Sequence, residues 1–299
     1  MKIITGAAGF IGSNVLKRLN CYGVDDLSFG VRENVEGYES SVAGIDFADI
    51  GDSFLNKHDV LIHLATSNMI FAMDEPIKTF ETNALKTIRL FQRFKGKIIY
   101  TSTTSVYGNA DIFPTPETAE LKVRGAYDMS KLLAEMFLAQ RGNYTTLRLS
   151  NVYGTNQRPT KYGGVIGKLI HQAISGKPME VIGTGTQTRD FTCVDDVVDA
   201  IELAVNQEAK NTEINIATAT ETTILSLAKM IREEIKTKSY IVNTPLRQID
   251  YLDRRCINIQ KAKELLGWTP KHTLKQGLEK TIKWMYEYCN PALQEIKSE

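Results

Sequence analysis

Hydrophobic positions along the chain alternate between short continuous runs and longer stretches with helical spacing. The continuous runs predict strands that are buried on both faces of a sheet; they cover residues 2–5, 22–24, 59–65, 97–102, 145–149 and 213–217, with a further strand ending at 45–47 and a short one near 240–242. The stretches with helical spacing predict amphipathic helices; they cover residues 11–19, 76–94, 126–141, 165–175, 194–205 and 224–236, with two more beginning at Gln260 and Leu274. Because strands and helices alternate without a hairpin signal, the sequence predicts a parallel, doubly wound α/β sheet.

A glycine-rich turn lies between the first predicted strand and the first predicted helix. Gly6, Gly9 and Gly12 are spaced three positions apart there. In such a turn the first glycine permits a tight bend, the second lets the backbone approach a pyrophosphate, and the third allows the helix to pack closely on the strand. This context favours a dinucleotide-binding site over a turn whose glycines serve only the backbone.

Acidic residues follow the second predicted strand, where a dinucleotide site needs a carboxylate for the adenosine ribose. Asp25 and Asp26 are both candidates, and Asp25 is the preferred one. A carboxylate at this place repels a 2′-phosphate and so favours NAD over NADP, although Arg32 keeps NADP open. Asp25 lies 13 positions after Gly12. The usual spacing is about 20 residues, so the sequence predicts a first helix of about two turns.

Two further groups of polar residues stand where a ligand would meet the sheet. Hydroxyl residues 101–105 follow the fifth predicted strand, at the same edge as the glycine turn; the alternative is that they only satisfy loop backbone.

Tyr127 and Lys131 lie four positions apart near a helix start, so they share a face and the ammonium favours the phenolate. Lowering a phenol pKa from about 10 to about 7 takes roughly 4 kcal/mol, more than one exposed pair supplies. Catalysis by this pair therefore requires partial burial and a second cation, such as an oxidised nicotinamide; otherwise the pair is a solvated helix face.

Composition and charge narrow the classes of partner. With 299 residues, 42% hydrophobic and 24% charged, the chain is long enough for one large or two modest domains. Its net charge of +1 gives no reason to expect nucleic acid or a membrane as a partner, and no 18-residue apolar stretch occurs. The four cysteines lack metal-binding spacing, so no metal is expected; they are Cys21, Cys193, Cys256 and Cys289. These features predict a soluble, unprocessed cytoplasmic protein.

Taken together, the motifs resemble those of the NAD-dependent epimerase/dehydratase group of extended short-chain dehydrogenases. Besides the glycine turn, the matching segments are residues 24–28, 63–65, 82–83, 102–108, 127–131, 151–154, 189–191, 194–196 and 262–268. The resemblance implies a Rossmann-type doubly wound parallel sheet with a smaller α/β substrate-binding cap domain. It assigns residues 1–151 and 189–217 to the NAD-binding Rossmann domain, and residues 152–188 and 218–299 to the nucleotide-sugar-binding domain.

The resemblance also implies roles for individual residues. Thr103, Tyr127 and Lys131 stand where the family has its catalytic residues. Contacts with the cofactor NAD are implied for Gly6, Gly9, Phe10, Ile11, Gly12, Asp25, Asp26, Ser28, Asp46, Phe47, Leu64, Ala65, Thr66, Asn83, Ser102, Tyr127 and Lys131. The implied substrate is a nucleoside diphosphate sugar, in the first place a UDP-sugar, and its implied contacts are Thr103, Asn151, Arg189, Arg247 and Asp250. Family members usually pair the helices that begin near Pro76 and Ala126 across a two-fold axis, which implies a homodimer.

The residues after Thr103 indicate which reaction to expect. Related 4,6-dehydratases have Asp-Glu there and decarboxylases have a Glu in that segment, whereas this chain has Thr104 and Ser105. Such hydroxyls are poor acids and bases at neutral pH, so the expected activity is epimerisation at C4 through a transient 4-keto sugar. Two alternatives stay open: an NAD(P)H-dependent reductase of a nucleotide-linked 4-keto sugar, and a non-catalytic dinucleotide-sensing module.

Overall fold

A parallel sheet of seven strands forms the centre of the fold, as seen in a computed structural model that describes residues 1–161, 163–246 and 253–289. The strands in chain order are β1 (Lys2–Thr5), β2 (Tyr22–Val24), β3 (Val42–Ala43), β4 (Val60–His63), β5 (Lys97–Thr103), β6 (Tyr144–Leu149), β7 (Asn151–Tyr153), β8 (Met179–Ile182), β9 (Thr188–Arg189), β10 (Phe191–Cys193), β11 (Glu213–Ile216), β12 (Thr222–Thr223) and β13 (Ile241–Thr244). The large sheet has the order β11-β6-β5-β4-β1-β2-β3, and every neighbouring pair is parallel. The strand order reverses between β1 and β4, as in a doubly wound fold.

Helices connect and cover these strands. In chain order they are α1 (Phe10–Leu19), α2 (Asp52–Leu55), α3 (Met69–Asp74), α4 (Pro76–Phe80), α5 (Thr87–Arg93), α6 (Ala126–Arg141), α7 (Val165–Ile174), α8 (Val194–Asn206), α9 (Ile224–Ile235), α10 (Gln260–Leu266) and α11 (Leu274–Cys289). A π-helical segment, Glu81–Lys86, joins α4 to α5 without interruption, so residues 76–93 form one long helix. None of the described helices is both long and apolar enough to cross a membrane.

The central strands are buried because helices cover both faces of the large sheet. All six positions of β6 are buried, and so are five of the seven positions of β5. On one face α1, α8 and α10 pack over Ile4 and its neighbours. On the other face α5 and α6 pack over Ile3. Successive strand residues point to opposite faces, so a continuous apolar run is what a strand between two helical layers requires.

The fold class predicted from the sequence is confirmed, with two local differences. β3 is Val42–Ala43 rather than a strand ending at 45–47; Asp46 instead caps a 3₁₀ turn, accepting a hydrogen bond from Ala48 N at 2.9 Å. α1 has ten residues, which is about three turns rather than two. The short spacing between the glycine turn and Asp25 is instead absorbed by the connection, because only residues 20 and 21 separate α1 from β2.

A smaller unit of helices and short strands completes the fold. β8 and β13 pair in parallel, and α7, α9 and α11 form an apolar cluster with β8 around Leu169, Leu227 and Ile282. Two further pairs, β7–β10 and β9–β12, lie near the predicted domain boundaries. Residues 257–268 belong by chain position to the predicted cap, yet Ile257 and Trp268 pack in the core of the large sheet.

Candidate active site

A cavity of about 970 Å³ opens where β1, β4 and β5 end. Its volume is at the upper end of the range for small-molecule sites, and its place at the reversal of strand order is where ligands bind in doubly wound sheets. The sequence-predicted residues that line it are Gly6, Gly9, Phe10, Ile11, Gly12, Asp25, Asp26, Ser28, Asp46, Phe47, Leu64, Ala65, Thr66, Ser102, Thr103, Tyr127 and Lys131.

The glycine turn brings backbone to the cavity wall at a distance that no side chain would permit. A Cβ on Gly6 would lie 2.7 Å from Ala65 N, and Gly6 has a φ of +74°. A Cβ on Gly12 would lie 1.8 Å from Gly6 O. α1 begins directly after Gly9 without a side-chain cap, so no capping oxygen competes with an anion for the N–H groups of its first turn.

An orphaned polar atom on the same wall also fits a bound cofactor. Ser102 Oγ is buried and has no hydrogen-bond partner within the described part of the protein. Ser102 lines the cavity beside Thr103, and a buried hydroxyl of this kind ordinarily has a partner. Together with the glycine turn, this residue fits a dinucleotide lying across the ends of the strands.

Asp25 and Asp26 differ in their surroundings. Asp25 is buried and accepts hydrogen bonds from Ala8 N and Leu27 N, each at 2.8 Å. Burial raises the pKa of Asp25, opposed by these backbone bonds. Asp26 is exposed and accepts from Ser28 N at 2.9 Å. Asp25 is therefore tied to the glycine turn through Ala8, whereas Asp26 is tied to the loop that follows.

Asp46 is a third carboxylate that lines the cavity, besides Asp25 and Asp26. Asp46 bonds Lys86, and both line the cavity. Although burial opposes it, the hydrogen bonds from Ala48 N and Lys86 lower the pKa of Asp46. The carboxylates of Asp25, Asp26 and Asp46 thus share one end of the cavity with Lys86, which is an unfavourable setting for an added 2′-phosphate.

Asn83 supports the cavity wall without lining the cavity itself. Every other residue predicted to contact the cofactor lines the cavity. Asn83 Oδ1 accepts a hydrogen bond from Ser67 N at 2.7 Å, and its Nδ2 donates to Ser67 O at 2.9 Å. Asn83 therefore holds the loop after β4, including the lining residue Ser67, which the sequence did not predict.

The helix α6 carries Tyr127 and Lys131 along the wall formed by β5. A buried ion pair between Arg148 of β6 and Glu135, with 2.6 Å between Nη2 and Oε2, holds this helix on the sheet. Thr103, at the end of β5, and Tyr127 line the same cavity. Lys131 Nζ lies 4.5 Å from the centroid of the Tyr100 ring. The three predicted catalytic residues are therefore brought together at one place in the cavity.

Burial governs the charge states of this group. Burial and the neighbouring Asp128 carboxylate raise the pKa of Tyr127, and the Thr103 hydroxyl opposes the rise. Burial lowers the pKa of Lys131 to about 7, opposed by the charge of Glu135. Without a second cation, Tyr127 keeps its proton at neutral pH. Burial, which was expected from the sequence to favour ionisation, therefore opposes it, and the need for a second cation remains.

The predicted substrate contacts are less closely gathered. Neither Asn151 nor Arg189 is among the described residues that line the cavity; Asn151 N donates to Asp190 O, and Arg189 Nη1 donates to Thr188 O. Arg247 and Asp250 lie outside the described residues. Several of the lining residues that the sequence did not predict come from the loop after Gly154; they are Asn156, Gln157, Arg158, Thr160, Lys161, Gly163 and Gly164.

A second cluster of polar groups lies away from the cavity. Potential metal-binding atoms of Cys193, Asp195 and His272 lie within 4.8 Å of one another. Lys280 Nζ bonds Asp195 and lies 3.3 Å from His272 Nε2. Because an ammonium group already supplies a cation here, we assign no metal to the cluster.

Comparisons with known proteins agree with this geometry. The model of the NAD dependent epimerase/dehydratase family matches residues 2–217. The UDP-glucose 4-epimerase of Mycolicibacterium smegmatis is 33% identical over 94% of this chain and 97% of its own length. UDP-glucuronic acid decarboxylase 1 of Danio rerio is 32% identical over 94% of this chain and 72% of its own length.

Solved structures give the same result. The crystal structure of UDP-glucose 4-epimerase from Thermotoga maritima with UDP-glucose is 32% identical and has a TM-score of 0.90, covering 97% of this chain and all of that one. Since the family model spans most of the chain and relatives align over nearly all of it, the chain belongs to the NAD dependent epimerase/dehydratase family, whose cofactor is NAD.

Proposed function

We propose that the protein is an NAD-dependent epimerase acting at C4 of a nucleoside diphosphate sugar, in the first place a UDP-sugar, through a transient 4-keto intermediate. The observation that carries the proposal is the wall at the end of β5. Thr103, Tyr127 and Lys131 line the cavity there, whereas Thr104 and Ser105 are buried behind it. The nearby Asp128 carboxylate is 1% exposed and lies outside the described lining. The wall thus offers groups for chemistry at C4 without an acid or base for elimination or decarboxylation.

In this proposal each catalytic residue has one task. Tyr127, once ionised, takes the proton of the sugar 4-hydroxyl and later returns it to the same oxygen. Thr103 hydrogen-bonds that oxygen, and Lys131 holds the nicotinamide ribose while keeping positive charge beside the phenolate. NAD, when bound, would supply the hydride acceptor and donor for C4. No net oxidation or reduction results.

Cofactor and substrate would occupy opposite ends of the cavity. The backbone N–H groups of 10–12 would hold the pyrophosphate, and Asp25 the adenosine ribose. Asn151, Arg189, Arg247 and Asp250 are the proposed substrate contacts. The description of the Thermotoga maritima relative as a complex with UDP-glucose supports this class of substrate.

A panel of nucleotide sugars tests the proposal. UDP-, dTDP- and GDP-sugars are incubated with the purified protein, without added cofactor, and the products are identified by NMR. We expect interconversion of C4 epimers without accumulation of NADH in solution, because hydride leaves and returns within one cycle. If the panel is unchanged until NADH or NADPH and a 4-keto sugar are added, and cofactor is then consumed stoichiometrically, the reductase alternative is correct instead.

We also propose a homodimer. α4 and α6 pack side by side, and large apolar side chains on them and on the π segment are exposed; they are Ile77, Leu85, Met129, Leu133 and Met136, with exposed fractions of 69%, 54%, 39%, 43% and 56%. On α6 these residues recur every three or four positions and so form one stripe, which a second copy would cover across a two-fold axis. Sedimentation at micromolar protein should show twice the chain mass of 33.5 kDa; a single species of the chain mass contradicts the proposal.

A further inference from the structure

Three segments border the cavity beyond the carboxyl ends of the strands. The first is the loop after β2, residues 25–35; the second is α3, which follows β4; the third is residues 155–161, which follow β7. Each segment lines the cavity, through Phe29, Phe71 and Arg158 among other residues. In the large sheet β1 lies between β2 and β4. The first two segments therefore stand on either side of the glycine turn that follows β1.

An aromatic contact joins the first segment to the second. The ring centroids of Phe29 and Phe71 are 5.1 Å apart and their planes meet at 85°, which is the edge-to-face geometry that two aromatic rings prefer. Both residues line the cavity, yet Phe29 is exposed and Phe71 is only half-buried. The contact therefore lies between the cavity and the solvent.

Two ion pairs join the third segment to the other two. Glu33 Oε2 of the first segment lies 3.3 Å from Arg158 Nη2. Asp74 Oδ2, at the end of α3, lies 3.4 Å from Lys161 Nζ. Arg158 and Lys161 line the cavity, whereas Glu33 and Asp74 are exposed and lie outside the lining. Each segment is thus joined to both of the others, and the three contacts form a ring around the cavity.

The aromatic contact is the strongest of the three. Exposed ion pairs contribute little to stability, because water and salt screen them, whereas an edge-to-face pair adds to the apolar area that its rings bury. The loop that carries Phe29 is also strained: Leu27 has a φ of +61° and its N–H donates to Asp25 Oδ1 at 2.8 Å. Leucine rarely adopts this conformation, and it persists only where surrounding contacts maintain it. The loop therefore presents Phe29 in a fixed place.

We propose that the contact between Phe29 and Phe71 is a gate that must open before NAD enters or leaves the cavity, so that these two residues retain the cofactor. A gate that is closed to the same degree with and without NAD slows entry and exit by the same factor and leaves the Kd unchanged. Slow exchange suits a cofactor that is regenerated in every cycle. The inference rests on NAD as the cofactor and not on the proposed reaction.

Two alternatives predict different kinetics. If the rings only stabilise the loops, removing one lowers the melting temperature and leaves cofactor exchange unchanged. If they are direct contacts of NAD, removing one speeds exit alone and raises the Kd. A matched control for the first alternative is the pair of Tyr22 and Phe54, whose ring centroids are 4.8 Å apart in an edge-to-face contact outside the cavity lining. Phe54→Ala should lower stability without altering exchange.

The test measures both rate constants with NADH, whose fluorescence reports binding. Stopped-flow mixing of NADH with cofactor-free protein gives the association rate constant, and displacement of bound NADH by excess NAD gives the dissociation rate constant. Phe29→Ala and Phe71→Ala should each raise both rate constants about fivefold and leave the Kd unchanged, because the opening step no longer breaks an aromatic pair. The double variant should be no faster than either single variant, since one substitution already removes the pair.

Unchanged rate constants in both variants, with a loss of melting temperature like that of Phe54→Ala, would overturn the inference. A rise in the dissociation rate constant alone, with an equal rise in Kd, would overturn it as well. If an alanine variant does not fold, Phe29→Leu and Phe71→Leu, which keep an apolar side chain without the ring, decide by the same two rate constants. Because exchange is followed without a nucleotide sugar, an unchanged panel together with faster exchange contradicts only the proposed reaction.

Discussion

The cofactor end and the substrate end of the cavity differ in how closely the structure gathers the predicted residues. At the cofactor end, 16 of the 17 predicted contacts line the cavity, and Asn83 stands directly behind it. At the substrate end, Thr103 lines the cavity, Asn151 and Arg189 do not, and the remaining two lie outside the described residues. The loop after Gly154 adds Arg158 and Lys161 to the cavity lining.

The difference follows from how each end is built. The cofactor end is made by continuous strand–turn–helix segments, whose backbone course follows from local sequence. The predicted substrate contacts come from separate segments of the chain, at residues 103, 151, 189, 247 and 250. Separate segments are positioned by their tertiary contacts rather than by their own sequence. The predictions below test each end in turn.

The largest effect, on kcat, is expected at Tyr127, where the two ends of the cavity meet. Tyr127→Phe removes the proton-transfer group but keeps the ring, so kcat should fall by about 10²–10⁴-fold while the binding of NAD and nucleotide sugar persists. Steady-state kinetics and calorimetric titration measure the two quantities. A variant that keeps a tenth of the wild-type kcat would exclude Tyr127 as the acid and base.

The next effect is specific to the cofactor end. In Gly12→Ala the new Cβ would lie 1.8 Å from Gly6 O, so the turn must shift, and NAD affinity should fall about tenfold or more. Gly44→Ala is the matched control, since a Cβ there meets nothing within 4 Å. Equal NAD affinity in the two variants would show that the turn does not hold the cofactor.

At the substrate end, Arg189→Ala should raise KM for the nucleotide sugar about tenfold and leave NAD affinity unchanged, because the proposed charged hydrogen bond from Arg189 to the diphosphate would be lost. Arg232→Ala, which changes a half-buried arginine of α9 outside the cavity lining, serves as the control. A fall in melting temperature without a kinetic change would mean that Arg189 has a structural role only.

The smallest effect concerns the choice of cofactor. The carboxylates of Asp25, Asp26 and Asp46 line the cavity, so NADP should bind more weakly than NAD by about tenfold at low salt and by less at high salt, where the repulsion is screened. Fluorescence titration of cofactor-free protein with both dinucleotides measures this ratio. Comparable affinities at low salt would contradict the preference for NAD.

The fold could be predicted in detail because its signals are local. Apolar runs place β1, β4, β5 and β6 within one or two residues of their observed bounds. The family resemblance, based on motifs in their observed order, is confirmed by the family model. The predicted end of the third strand was wrong. β3 has only two residues, and an apolar run of that length cannot be recognised in the sequence.

Sequence alone determined the chemistry available to this protein: the glycine turn, the carboxylate after β2, and the Thr103, Tyr127 and Lys131 set. Tertiary structure alone decided how these groups are charged and what stands behind them. The pKa of Lys131 is lowered to about 7, and that of Tyr127 is raised, by burial that no spacing of residues reveals. Asp128 meets Ser105 across 23 positions of the chain because α6 packs beside the end of β5. Helical and strand periodicities are set by neighbours in sequence, whereas desolvation and contacts between elements depend on how the whole chain packs.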